Sequence, residues 1–110
     1  MGIRDLVLDE LKVLSQPRLQ LEYEESLTTA GHAPTELVSV FCDDLFDPKS
    51  AEFNSVFSRD EHKALAHLYG LLVETSGSSY PTVGDMLKDP KWRRVVAVAQ
   101  QLTGEIGGGR

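Results

Sequence analysis

Three kinds of side chain in this sequence carry reactive or ligating groups, and spacing decides what each could do. His62 and His67 are five residues apart. On a helix that turns the second imidazole about 140° from the first, whereas a helical metal pair needs a separation of three or four. The remaining histidine, His32, falls in a segment expected to be a loop, so no metal site is expected. Cys42 is the only cysteine and follows Phe41 on an apolar stripe. Burial and the carboxylates beside it raise a thiol's pKa and leave it a poor nucleophile. Asp43, Asp44 and Asp47 suggest calcium. A calcium loop, however, needs oxygen ligands at alternate positions, a central glycine and a closing glutamate, and Leu45, Pro48 and Asn54 stand in those places. The glycine run at Gly107 precedes no helix and cradles no phosphate. No catalytic residue and no cofactor follow from these spacings.

The carboxylates fit a different chemistry. The chain has a formal net charge of -6, which repels phosphate backbones and disfavours DNA or RNA as a partner. Between Arg18 and Lys49 there is no basic residue, yet Glu22, Glu24, Glu25, Glu36, Asp43, Asp44 and Asp47 all lie in that interval. Lys88, Lys91, Arg93 and Arg94 gather near the other end. The single-signed interval reads as a docking surface for lysines and arginines, or as a set of solvated helix faces. Trp92 beside Arg93 and Arg94 could stack on a base, but it shares a helical face with Val95, Val96 and Ala99 and is expected in the core.

The elements that position these groups read as helices. Ile3, Leu6, Val7, Leu11 and Leu14 recur at mostly three and four, the mark of one buried helix face. Ser15 is a candidate N-cap for a second helix with Pro17 in its first turn. Leu19, Leu21 and Tyr23 alternate as a strand would. The glutamates around them and the lack of a second strand to pair with favour helix, ended by Gly31. Thr35 is expected to cap a third helix with the stripe Leu37, Val38, Phe41, Cys42 and Leu45, which stops before Pro48. Phe53, Val56 and Phe57 read as a helical turn under the following loop.

Ser58 and Glu61 form a capping box ahead of a fourth helix with Ala64, Leu65, Leu68, Leu72 and Tyr69 on its apolar side. Thr82 and Asp85 repeat that spacing before one short turn. Asp89 then caps a last helix with Trp92, Val95, Val96, Ala99, Leu102 and Ile106 on one side. The sum is an all-α single domain over residues 1–106, a bundle of four to five helices with short connecting turns, and a loose Gly-rich tail at 107–110.

At 110 residues the chain is of one-domain size. Arg4, Asp5, Asp9, Glu10 and Lys12 interrupt the opening segment, so no signal peptide is expected, and no window is long and apolar enough to span a membrane. An unpaired cysteine suits a reducing compartment, so the expected location is the cytoplasm.

Leu11–Tyr23 (LKVLSQPRLQLEY), Phe41–Phe46 (FCDDLF) and Asp89–Arg93 (DPKWR), set in a small acidic helical domain, resemble the immunity proteins encoded beside bacterial toxins, including those of contact-dependent growth inhibition. That resemblance is to a class and transfers no toxin-binding residue. It implies an inhibitor that covers a cognate toxin domain, often a nuclease with a basic groove, without doing chemistry itself. Two other classes stay open. One is an adaptor or regulatory subunit, monomeric or homodimeric. The other is a small enzyme with a site assembled from scattered residues such as His32, His62 or His67.

Overall fold

The computed structural model describes residues 2–26, 32–78 and 80–107, and the described residues form seven α-helices and two π-helical segments. These are α1 (Ile3–Ser15), α2 (Pro17–Ser26), α3 (Ala33–Ser39), α4 (Ala51–Val56), α5 (Arg59–Ser76), α6 (Val83–Met86) and α7 (Pro90–Leu102). The first π segment, Val40–Leu45, continues α3 directly, and the second, Thr103–Gly107, continues α7. No strand occurs among the described residues. The fold is therefore all-α, with more elements than the four to five expected. The difference lies in α4 and α6, single-turn elements of 6 and 4 residues.

The core is built on α7, which packs against both α1 and α5. Trp92, Val95, Val96, Ala99, Leu102 and Ile106 are all buried, as their spacing predicts. Val7, Leu11 and Leu14 of α1 and Leu65, Leu68 and Leu72 of α5 close the other sides. The Cα radius of gyration, 13.6 Å, matches the roughly 13 Å of a compact domain of about 100 residues.

Two polar devices lock this frame. Gln20 is fully buried on α2; its Oε1 accepts from Trp92 Nε1 at 3.0 Å, and its Nε2 donates to the carbonyls of Val13 and Leu14, each at 3.0 Å. One amide thus satisfies the buried indole and the last turn of α1 together. Arg4 is the second device. Its guanidinium meets both Glu61 carboxylate oxygens at 3.0 and 3.1 Å, donates to the carbonyls of Val56 and Ile106, and lies 5.4 Å from the centre of the Phe57 ring. It ties the start of α1 to the end of α4, the start of α5 and the second π segment. That hydrogen bond also holds the Glu61 carboxyl below its ordinary pKa.

The capping signals at Ser58–Glu61, Thr82–Asp85 and Asp89 are all in place, with Ser58 Oγ, Thr82 Oγ1 and Asp89 Oδ1 accepting from the backbone N–H groups of Glu61, Asp85 and Lys91. Other expectations need correction. Ser15 is the last residue of α1, donating back to the Lys12 carbonyl, and Gln16 precedes α2. Thr35 lies inside α3, whose N-cap position is His32. Leu6 is 41% exposed, so it stands off the buried face that Val7, Leu11 and Leu14 define. Leu27, Gly31 and the glycines beyond Gly107 lie outside the described residues.

Candidate functional site

The element formed by α3 and its π segment carries Glu36, Cys42, Asp43 and Asp44, with His32 at the N-cap position. Leu37, Phe41 and Leu45 anchor it to the core. The Phe46 N–H reaches back five residues to the Phe41 carbonyl at 2.8 Å, the bond that widens the turn. The remaining residues of this element divide into two flanks. Val38, Cys42 and Asp43 face α5 and α6, where they line a cleft. Glu36 lies on the other flank, within electrostatic reach of Tyr23 of α2, and its charge, then that of Glu10 of α1, helps hold the Tyr23 phenol up, after burial itself.

The seven acidic residues singled out from the sequence have different employments. Glu24 turns inward: its Oε2 accepts the Val83 N–H at 3.0 Å and closes the start of α6. Glu22 makes an exposed pair with Arg18 at 3.6 Å. Asp47 accepts the Lys49 N–H at 3.3 Å in the turn after the π segment. Glu25, Asp43 and Asp44 are exposed and Glu36 is half-buried. Among the described residues the ion pairs are Arg4–Glu61, Arg18–Glu22 and Lys88–Asp85. None of Glu25, Glu36, Asp43, Asp44 and Asp47 takes part in them.

One acidic residue of this side escaped the sequence reading. Glu10 is half-buried on α1 with its Oε2 out of reach of solvent and of any hydrogen-bond donor among the described residues. Burial pushes its carboxyl up to about 8. Its sequence signal is position, for Glu10 stands one residue before Leu11 and three after Val7 and so borders the buried stripe of α1.

The cleft encloses about 340 Å³ between α3 with its π segment, the last turns of α5, and α6. Val38, Tyr69, Val73 and Met86 supply apolar wall, and His32, Cys42 and Asp43 also border it. Three potentially reactive groups are thus brought to one place, which the sequence did not reveal. Their state does not suit nucleophilic catalysis. Burial, then the Asp43 carboxylate, pushes the Cys42 thiol up to about 11. His32 Nδ1 is engaged with Thr35 Oγ1 at 2.8 Å, and among the described residues no hydrogen bond joins Cys42 to a histidine. Of the other histidines, His67 is exposed, while His62 packs against Phe46 and Phe53 with ring centres 5.9 and 5.5 Å away. No group of three or more His, Cys, Asp or Glu among the described residues could hold a metal ion.

Tyr69, Val73 and Tyr80 complete the cleft and were not singled out as site residues from the sequence. Tyr80 closes its far side by donating to Asp89 Oδ2 at 2.6 Å, so the cap of α7 also positions a cleft wall. Comparison with protein-family models, with curated proteins and with solved structures finds no match for this chain. Among the described residues no helix is long and apolar enough to cross a membrane.

Proposed function

We propose that this protein is a non-catalytic inhibitor of the immunity type, which binds a basic domain of a bacterial toxin and blocks access to its substrate groove. The observation that carries the reading is an acidic ridge formed by the carboxylates of the π segment and the turn after it. Asp43 and Asp44, followed by Asp47, stand outside the ion pairs of the described residues, while Phe41 and Leu45 anchor the segment in the core. Glu36, on the other flank of α3, adds charge only. Carboxylates fixed on a packed helix attract a basic surface over a distance and then occupy places where nucleic-acid phosphates would sit. Glu22 and Glu25 on α2 extend that field. Glu24 serves the fold and contributes charge only. The partner is a protein, no cofactor takes part, and the site of action is the cytoplasm.

The test is kinetic. The protein is mixed with the C-terminal domain encoded immediately upstream of its gene, and association is followed by stopped flow across salt concentrations. The expected rate falls by about tenfold or more from low to high salt, and the triple variant D43K/D44K/D47K binds more slowly still. A rate indifferent to both salt and these substitutions overturns electrostatic docking.

A further inference from the structure

The cleft beside the ridge has a composition that selects one kind of guest. Its volume, about 340 Å³, lies at the small end of the roughly 300–1,000 Å³ usual for ligand pockets, which suits a single side chain or a small molecule. Asp43 is the only carboxylate among its lining residues, and no lysine or arginine borders it. The Cys42 thiol stays protonated at neutral pH and adds no charge. Besides the tyrosines, six other lining residues are polar, His32 and five that carry hydroxyl groups, while Pro34, Val38, Val73 and Met86 supply an apolar strip. Val38 stands on one side and Val73 on the other, 46% exposed and among the most exposed large hydrophobic side chains of the chain. Tyr69 offers an aromatic surface. Phe46 stacks against it with ring centres 5.0 Å apart, which holds the tyrosine ring in place.

An apolar strip beside an aromatic ring and one carboxylate complements a cation carried on a hydrocarbon stem. Between the two natural side chains of that form, a planar guanidinium stacks on an aromatic ring and meets a carboxylate through paired N–H groups. A compact ammonium, more strongly hydrated, gains less from either surface. We infer that this cleft receives an arginine side chain of the protein partner, its stem between Val38 and Val73 and its guanidinium at Tyr69 and Asp43. The assignment rests on the reading that the partner is a basic protein. It adds the point at which that partner is anchored, since a buried arginine in a pocket is the type of contact that dominates an interface.

The experiment uses the full chain and n-butylguanidinium as the probe, with amide chemical shifts read by nuclear magnetic resonance. The expected result is a saturable shift of Val38, Cys42, Asp43, Tyr69 and Val73. The exposed Asp43→Asn, which leaves the core untouched, should weaken that binding by about fivefold, the worth of roughly 1 kcal/mol. n-Butylammonium should bind more weakly than the guanidinium, and n-pentanol, of similar length and uncharged, should leave the cleft amides unmoved. Pentanol binding as well as the guanidinium would make the cleft an apolar dock, and guanidinium binding unchanged in Asp43→Asn would remove the role of the carboxylate. Either result overturns the inference. If the basic domain still associates in a salt-dependent way while the probe leaves these amides unmoved, the arginine anchor falls and the inhibitor reading stands. If the probe binds as expected and no basic domain associates, the inhibitor reading falls alone.

Discussion

The two sides of this molecule solve the problem of polar groups in opposite ways. Around α7 the polar groups are paired: Gln20 of α2 satisfies Trp92 and two carbonyls, and Arg4 of α1 spreads its donors over Glu61 and two more carbonyls. On the side of α3 and its π segment, Asp43, Asp44 and Asp47 stand outside the ion pairs of the described residues, Glu10 of the neighbouring α1 keeps a buried oxygen with no donor among them, and a cleft remains open. The first arrangement suits a frame. The second keeps unspent electrostatic potential and unfilled space, both of which a partner can use.

Replacing a core aromatic on each side is the strongest way to break this contrast. Trp92→Ala removes a fully buried indole and leaves Gln20 Oε1 without its donor. A loss of about 3–5 kcal/mol in urea unfolding is expected. Tyr69→Ala removes a half-buried ring that borders the cleft and stacks on Phe46, and about half that loss or less is expected. Equal losses would mean that the cleft wall belongs to the frame as much as the tryptophan does, and the contrast would fail.

What the sequence made legible follows the same division. The α7 face was readable because six apolar residues from Trp92 to Ile106 keep one helical period, and all six are buried. The caps at Ser58, Thr82 and Asp89 were readable because they are local, each satisfied within three residues. Gln20 was not, because a glutamine's burial depends on a partner 72 positions away. Nor was Glu24, whose inward turn depends on Val83, 59 positions away. The cleft is invisible for the same reason, its walls coming from three separated stretches of chain. The π turn escaped because a five-residue reach such as that of the Phe46 N–H to the Phe41 carbonyl changes the register without changing the residue types a helix prefers. On the acidic side, the sequence supplied the charges but not which of them the fold uses for itself.

Glu10 offers a finer test through pH. Its carboxyl is raised to about 8 in the folded chain, against about 4.3 for a free glutamate. The folded state therefore holds a proton that the unfolded chain releases. The stability tied to that proton is complete below the unfolded pKa and is lost as pH rises through the folded one. The full slope for one proton is about 1.4 kcal/mol per pH unit. With the side chain only half-buried, about 2 kcal/mol lost between about pH 5 and pH 8 is the expected size after solvent screening. Glu10→Gln, which mimics the protonated form, should remove this decline, and unfolding free energies measured at both pH values check it. An equal decline in parent and variant would place Glu10 in contact with water and erase one mark of the unsatisfied side.

The smallest expected effect sharpens the comparison most. Asp43, Asp44 and Asp47 take no part in the ion pairs of the described residues, and Asp43 and Asp44 are exposed. Neutralising all three to asparagine removes like-charge repulsion within a chain of net charge -6 and forfeits only the Asp47 turn contact. The unfolding free energy should therefore move by no more than about 0.5 kcal/mol, and the repulsion predicts a gain. A carboxylate that supports the fold behaves otherwise: Glu61→Gln breaks its charge pairing with Arg4 and should cost more than the three aspartates together. Carboxylates whose removal leaves stability unchanged are not part of the frame. If the triple variant instead lost stability comparable to Glu61→Gln, the ridge would be part of the frame, and the charge would have a structural explanation with no partner required.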